Sequence, residues 1–360
     1  MRIVQFGDLH LDAPLERLSK KAAVRRRTLS RRLISDAVAL AHRTGADMII
    51  CTGDLFDSDT PYYDSVLAAA ESFSKTSLPV FIAPGNHDPY TAASPYAAVE
   101  WSPNVHIFTS PLPETVELPC ARVTGFANTE KRQSLRPLQN FRVKGGDRPE
   151  ILVLHGELSA SGDYFRIPPE DLSASGADYA ALGHIHIHSV SRFGKCLAVM
   201  NGSAESRGFG EPGEKGAVVA EISPEESRAE LVPLDGIRSI CISAEDAGQN
   251  EDGLEKFFRA RCPWSPERTM LSAELTGRPH ADAAMLSERL SDFLCLRIID
   301  RRSEPPALPR GRGLPALFCR RLSELTAAET DPEKQKLLRS ALEYGLSALG
   351  NREQPRGNGK

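Results

Sequence analysis

The chain has 360 residues, 41% of them hydrophobic and 26% charged, with a formal net charge of −4; this composition predicts a soluble globular protein with one large core and a second, smaller one. The acidic balance excludes whole-molecule attraction for a polyanion, so any basic surface must be local. Seven scattered cysteines with no C-x-x-C pair exclude a disulfide framework and a structural zinc site, and the lack of a leader pattern or long apolar span predicts a cytoplasmic protein with no membrane partner.

In chain order, the first elements are short apolar runs that each end in a polar cluster. "RIVQF" ends in "GDLH", "DMIICT" in "GDLFD", "LPVFIAP" in "GNHD", "EILVL" in "HGE" and "ADYAAL" in "GHIHIH". Runs of this length bounded by Gly or Pro predict buried strands, and several intervals between them leave room for crossover helices. Ligands of open α/β sheets gather beyond the carboxyl ends of strands, where all five clusters lie. Between the first two clusters, Lys20, Lys21, Arg25, Arg26, Arg27, Arg31 and Arg32 form a run with no acidic residue. Its place just after the first cluster makes Arg25 and Arg26 candidate DNA phosphate contacts; a plain solvated helix face, or a surface meeting acidic groups of a partner, is the alternative.

The strand ends supply Asp8 and His10, then Asp54, then Asn86 and His87, then His155, then His184 and His186. Taken singly, an Asp-x-His after a strand is often a capped turn. Five such clusters in order point to a metal site. Carboxylate, amide and imidazole donors without thiolate suit manganese first, with iron or zinc as alternatives, and not calcium. These candidates exceed one tetrahedral site and fit two divalent ions about 3.5–4 Å apart, with Asp54 the natural bridge. The run "LGHIHIH" adds His188; an extended chain would put His184, His186 and His188 on one side, so spacing alone nominates all three.

The ordered set "GDLH", "GDLFD", "GNHD", "LHGE" and "GHIH" resembles the calcineurin-like metallophosphoesterases over roughly the first 230 residues. The resemblance implies a four-layer α/β/β/α sandwich around a dimetal centre. It assigns Asp8, His10, Asp54 and His186 to one metal, and Asp54, Asn86, His155 and His184 to the other. His87 matches the family's non-ligand histidine, which acts as general acid toward the leaving group or steadies transition-state charge, and Asp88 a carboxylate orienting that imidazole or a neighbour. A hydroxide activated by the two metals would attack phosphorus in line. His188 falls outside the "GHIH" motif and is expected on the rim, where it can meet a substrate phosphate or only solvent.

Finer features, "DLHLDAPL" and "GEKGAVVAEI", are similar to the bacterial DNA-repair exonucleases of the SbcD and YhaO type. The phosphoesterase domain is expected over 1–234. Beyond it, "RSICISAE", "RTMLSAELTG" and "LCLRIIDRR" read as strands, with "EDGLEKFFRAR" and "ADAAMLSERLSDF" as helices, predicting a small α+β module over 235–303, which the resemblance implies is a capping domain shaping access of DNA to the metals; an accessory domain that only stabilises the sandwich is the alternative. The Pro, Gly and Arg of 304–315 mark a linker. Two amphipathic helices are expected over 316–350, the first with Leu317, Phe318, Leu322 and Leu325 on one face, the second with Leu338, Leu342, Leu346 and Leu349. "TDPE" from Thr330 to Glu333 predicts a capping box between them. Such a pair docks either on its own protein or, as the resemblance implies, on an SbcC-like or YhaN-like coiled-coil ATPase. The resemblance also implies a homodimer.

Three functions follow. The first is a metal-dependent DNA exonuclease or endonuclease in DNA repair. The second is a phosphodiesterase or phosphatase acting on nucleotides or phosphoproteins. The third is a non-catalytic scaffold, against which the intact ligand set argues.

Overall fold

The inner strands MIIC, VFI, YAALG and CLAVM are apolar without alternation and buried along their whole length because both of their faces are covered, whereas outer strands such as ETVE and RAELVP alternate. A computed structural model describes residues 1–14, 18, 20–223, 226–303 and 313–350. Most of the expected linker therefore lies outside the described residues, as do the side chains of Lys21 and Leu349. In chain order the elements are β1 (Arg2–Phe6), α1 (Lys20–Thr44), β2 (Met48–Cys51), α2 (Tyr63–Ser74), β3 (Val80–Ile82), β4 (Val105–Ile107), β5 (Glu114–Glu117) and β6 (Arg122–Gly125). There follow β7 (Glu150–His155), α3 (Pro169–Ser175), β8 (Tyr179–Gly183), β9 (Ser189–Phe193), β10 (Cys196–Met200), β11 (Gly216–Glu221) and β12 (Arg228–Pro233).

These strands make two six-stranded sheets, ordered β12-β11-β1-β2-β3-β4 and β5-β6-β7-β8-β10-β9. β1 to β4 run parallel, as do β6, β7, β8 and β10, while the strands outside them pair antiparallel. Successive side chains of one strand go to opposite faces: Val4, Ile49 and Val80 pack under α1 and α2, with Leu33, Ala37 and Phe73. Ile3, Ile50 and Phe81 meet Val153, Tyr179 and Val199 of the other sheet. The far face of that sheet, through Leu152, Leu154 and Ala180, is covered by Phe165 and by Leu172 of α3. The order of layers is thus α/β/β/α. Within the inter-sheet layer Gln5 is fully buried, and its amide donates to the Val199 carbonyl at 2.9 Å while its oxygen accepts from the Tyr179 hydroxyl at 2.6 Å. A buried amide satisfied only by the opposite sheet fixes how one sheet sits on the other.

Beyond β12 come β13 (Arg238–Asp246), α4 (Glu251–Arg261), β14 (Thr269–Gly277), α5 (Ala283–Arg289) and β15 (Cys295–Asp300), then α6 (Leu314–Ala328) and α7 (Pro332–Gly350). The three strands form a sheet in the order β13-β14-β15. Packing does not divide the chain at 234. One compact unit is Met1–Ile242 with Ala260–Ala273 and Arg289–Arg297; the other is Ser243–Arg259 with Glu274–Glu288 and the chain from Ile298 on. The cause is a small apolar cluster in which Ile237, Met270 and Leu294 join Ala22, Leu29 and Phe209. In the second unit, Arg302 donates to Asp246 and Asp300, both at 2.7 Å. α6 and α7 pack together so closely that a Cβ on Gly345 would overlap the Phe318 ring. Asp331, not Thr330, caps α7: its Oδ1 accepts the Glu333 N–H at 3.0 Å, so the cap sits one residue later than the sequence suggests.

Candidate metal centre

Both sheets deliver polar residues to one place. Beyond the carboxyl ends of β1, β2 and β3 lie Asp8 and His10, Asp54, and Asn86 and His87; β7 ends at His155, and β8 runs into His184 and His186. The turns that aim these groups are strained. Asp8, His10, Asp54 and His184 have φ of 51°, 45°, 47° and 103°, a left-handed backbone that costs non-glycine residues on the order of 1–2 kcal/mol each. The loops brace one another, with Asp8 N–H donating to Gly53 and His10 N–H to Asp54, both at 2.9 Å. Gly85 is required by contact: a Cβ there would lie 2.1 Å from Asp54 Oδ1.

Counting protons shows what the cluster lacks. His10 Nδ1 lies 3.0 Å from Asp57 Oδ1 and His186 Nδ1 lies 2.7 Å from Glu211 Oε1. Each carboxylate takes the Nδ1–H and leaves a lone pair on Nε2. The two Nε2 atoms face each other at 3.1 Å, with Asp54 Oδ2 at 3.5 Å from the first and Asp8 Oδ1 at 3.6 Å from the second. In the same way His155 gives its Nδ1–H to the Thr52 carbonyl at 2.8 Å, turning Nε2 toward Asn86 Oδ1 at 3.0 Å and Asp54 Oδ2 at 3.3 Å. Asn86 Oδ1 is also 2.9 Å from His184 Nδ1. Between the His10 and His186 Nε2 atoms two lone pairs face each other with no proton between them, an arrangement that a cation reconciles. Nitrogen and oxygen donors in two groups that share Asp54 fit a pair of divalent ions.

The electrostatics agree. Burial would push Asp54 up, but the His155 and His10 imidazoles more than offset it and hold the carboxyl well below its usual range. Against burial, Asp54 raises His155 to about 9. Burial, aided by His155, lowers His184 to about 3. Asp8 is raised by burial, with Asp54 adding to the effect against His155.

The sequence profile of the calcineurin-like phosphoesterases matches residues 1–188, more than half of the chain. The chain belongs to the calcineurin-like phosphoesterase family. Among relatives of this phosphoesterase, the uncharacterized metallophosphoesterase YhaO of Bacillus subtilis is 29% identical over 242 residues, which are 62% of this chain and 58% of YhaO. The match thus spans less than two thirds of that relative. The DNA double-strand break repair protein Mre11 of Thermoplasma acidophilum is 22% identical over 267 residues, 67% of this chain and 69% of Mre11. The solved structure of TT1561 of Thermus thermophilus aligns with a TM-score of 0.41 at 14% identity, over 64% of this chain and 98% of that one.

The other nominated residues divide. His87 lies beside the cluster, its ring 4.6 Å from that of His10 and its Nδ1 3.0 Å from the Asp57 carbonyl. Asp88 does not orient an imidazole, contrary to expectation. Fully buried, it accepts from Phe56 N–H at 3.0 Å, Gly85 N–H at 2.8 Å and the Tyr96 hydroxyl at 2.6 Å, pinning the β2 and β3 loops together. The run 184–188 is not extended, because the chain turns at His184; His188 points its Nδ1 to the Met200 carbonyl at 3.0 Å and stays outside the cluster. Arg25 is exposed on α1, whereas Arg26 is buried with Ser30, Leu33 and Ile34 on the face toward the sheet, so the basic run is not one solvated surface.

Sequence reasoning missed the groups that hold the cluster in place. Asp57 accepts from His10 and, at 3.1 Å, from Arg207. Glu211 accepts from His186 and, at 3.0 Å, from Arg207 N–H, and hydrogen bonding from His186 holds it near about 2 against burial. Asn201 donates to Asp8 at 3.1 Å. The signals were present: Asp57 closes "GDLFD", and "CLAVM" is a sixth apolar run that ends in a polar cluster, "NGSAESRGFGE".

Proposed function

We propose that this phosphoesterase is a metal-dependent DNA nuclease acting in DNA repair. The cluster of acceptors short of protons carries the phosphodiester chemistry, and the similarity to Mre11 along 69% of that protein supports DNA as substrate. Asp8, His10, Asp54 and His186 would hold one ion, and Asp54, Asn86, His155 and His184 the other, with manganese the proposed metal. Such ions supply Lewis acidity and ionise water near neutral pH. The protein orients the rest. His87 donates its backbone N–H to Asp54 Oδ1 at 2.9 Å and its Nδ1–H to the Asp57 carbonyl, which leaves Nε2 for the substrate on a side chain 38% exposed. From there a protonated His87 passes its proton to the departing oxygen.

Manganese-loaded protein given labelled linear duplex, single strands and a small phosphodiester ester tests this reading. Cleavage of DNA is expected; hydrolysis of the ester alone moves the protein to the nucleotide and phosphoprotein phosphoesterases, and hydrolysis of nothing makes it a scaffold.

The α6–α7 hairpin exposes Leu317, Leu325, Leu337 and Tyr344. We propose that it docks on an SbcC-like or YhaN-like coiled-coil ATPase, so a chain ending at Pro315 should no longer co-purify with such a partner. A homodimer is the proposed assembly. Among the described residues no helix is long and apolar enough to cross a membrane; a cytoplasmic location is proposed.

A further inference from the structure

Arg26 is an anomaly. Only 7% exposed, it makes no ion pair and no side-chain hydrogen bond among the described residues. A buried guanidinium normally spends its planar fork of donors on a carboxylate, because its desolvation is otherwise uncompensated. The nearest candidate is engaged elsewhere: Glu205 accepts from the Ser30 hydroxyl and, at 3.3 Å, from Ile237 N–H. Burial works against the charge of Arg26; Glu205 offsets part of this and Arg207 adds to the penalty.

The side chain does have somewhere to point. With Arg207, Ala13, Pro14, Gly208 and Gly210, it lines an open cavity of about 380 Å³. On its other side it lines a narrow cleft with His10 and Asp12. The cavity therefore adjoins the metal cluster, and its walls include Glu211, the carboxylate that holds His186. Glu211 is already occupied by His186 and by Arg207 N–H. Arg207 spends one Nη2 on Asp57. Apart from the adjoining residues of the chain, no atom of the described residues lies within 4 Å of where a Cβ on Gly208 or Gly210 would stand, so this wall has room for a ligand. Two guanidiniums, one of them unpaired, facing a cavity of this volume fit a phosphate carried by a nucleotide.

Resting on the DNA reading above, we infer that Arg26 and Arg207 bind the backbone phosphate next to the scissile one. The anchor selects polynucleotides over single phosphodiesters. The pocket at the metals then handles one phosphate and the arginine pocket its neighbour.

The test uses the full chain without metal, so that binding is read and not turnover. Fluorescence anisotropy measures a labelled ten-residue thymidine strand at several salt concentrations, and competition measures the thymidine trimer TpTpT against the dimer TpT. Arg26→Gln is expected to weaken strand binding about tenfold, lower the salt slope by about 0.7, and remove most of the trimer-over-dimer preference. Arg26→Lys keeps the charge but not the fork, so it should keep the slope and cut the preference about threefold. An unchanged preference in Arg26→Gln, or in Arg26→Lys where only that variant folds, overturns the anchor and leaves the DNA reading standing. Wild-type protein that binds no strand at low salt overturns the DNA reading, and the anchor with it.

Discussion

Consider Asp57, which touches no candidate metal position and yet takes the Nδ1–H of His10 at 3.0 Å. In Asp57→Asn an acceptor remains but its charge is gone, and exchanging a charged for a neutral acceptor forfeits about 1.4 kcal/mol, or about tenfold in divalent-ion affinity. Asp57→Ala leaves the imidazole N–H without that partner, and the loss should approach about 100-fold, the upper end of what outer partners of metal-bound histidines contribute. The same change frees Arg207, whose Nη2 lies 3.1 Å from the carboxylate, so a rise in its mobility accompanies the effect. Manganese titration by calorimetry gives the affinities directly. Thermal melts with excess manganese give an independent value, since stabilisation by a ligand falls as its dissociation constant rises. Equal affinities in wild type, Asp57→Asn and Asp57→Ala would refute the view that this carboxylate sets the His10 tautomer.

His87→Ala should keep its metal and lose turnover by about 10²- to 10⁴-fold, read as metal content by mass spectrometry beside the rate on DNA; loss of both together would make His87 a ligand. His186→Ala should lower metal content while His188→Ala leaves it unchanged, because His188 is tied to the Met200 carbonyl; equal loss in both restores the three-histidine reading. In chelator the chain should be most stable near pH 6.5. His155, raised from 6.5 to about 9, contributes stability that is full below pH 6.5 and fades as pH climbs through 9. His184, lowered from 6.5 to about 3, does the reverse: below pH 6.5 the unfolded chain takes a proton the folded one refuses, so stability drops as pH falls toward 3. A melting temperature that is flat across this range counts against both shifts.

The strands and the metal cluster could be read from the sequence because each apolar run stops at a residue set that packing does not explain. "GNHD" after "LPVFIAP" is one case, and Asn86 and His87 indeed leave the end of β3. What escaped was contact at long range. Nothing in "GDLFD" says that Asp57 will meet His10, 47 residues away, or in "GFGEPG" that Glu211 will meet His186. For Arg26 the sequence showed the charge and not the burial: the basic run nominates Arg25 and Arg26 alike, yet helical spacing puts Arg26 in line with the buried Ser30 and Leu33 while Arg25 is exposed. Asp88 read as catalytic by adjacency to His87, although consecutive residues in a loop need not serve one purpose.

The division of the candidate ligands between the two sheets has a mechanical consequence. Asp8, His10, Asp54 and Asn86 ride on one sheet, His155, His184 and His186 on the other, and the sheets are joined by an apolar layer and by directional bonds from Gln5 to Val199, His155 to Thr52 and Asn201 to Asp8. Bound ions would add shared anchors to the few hydrogen bonds that already register one sheet on the other. Volume changes deep in that layer, at Val153 or Ile50, should therefore register first as altered metal affinity, and the centre becomes a gauge of sheet alignment far more sensitive than the melting temperature.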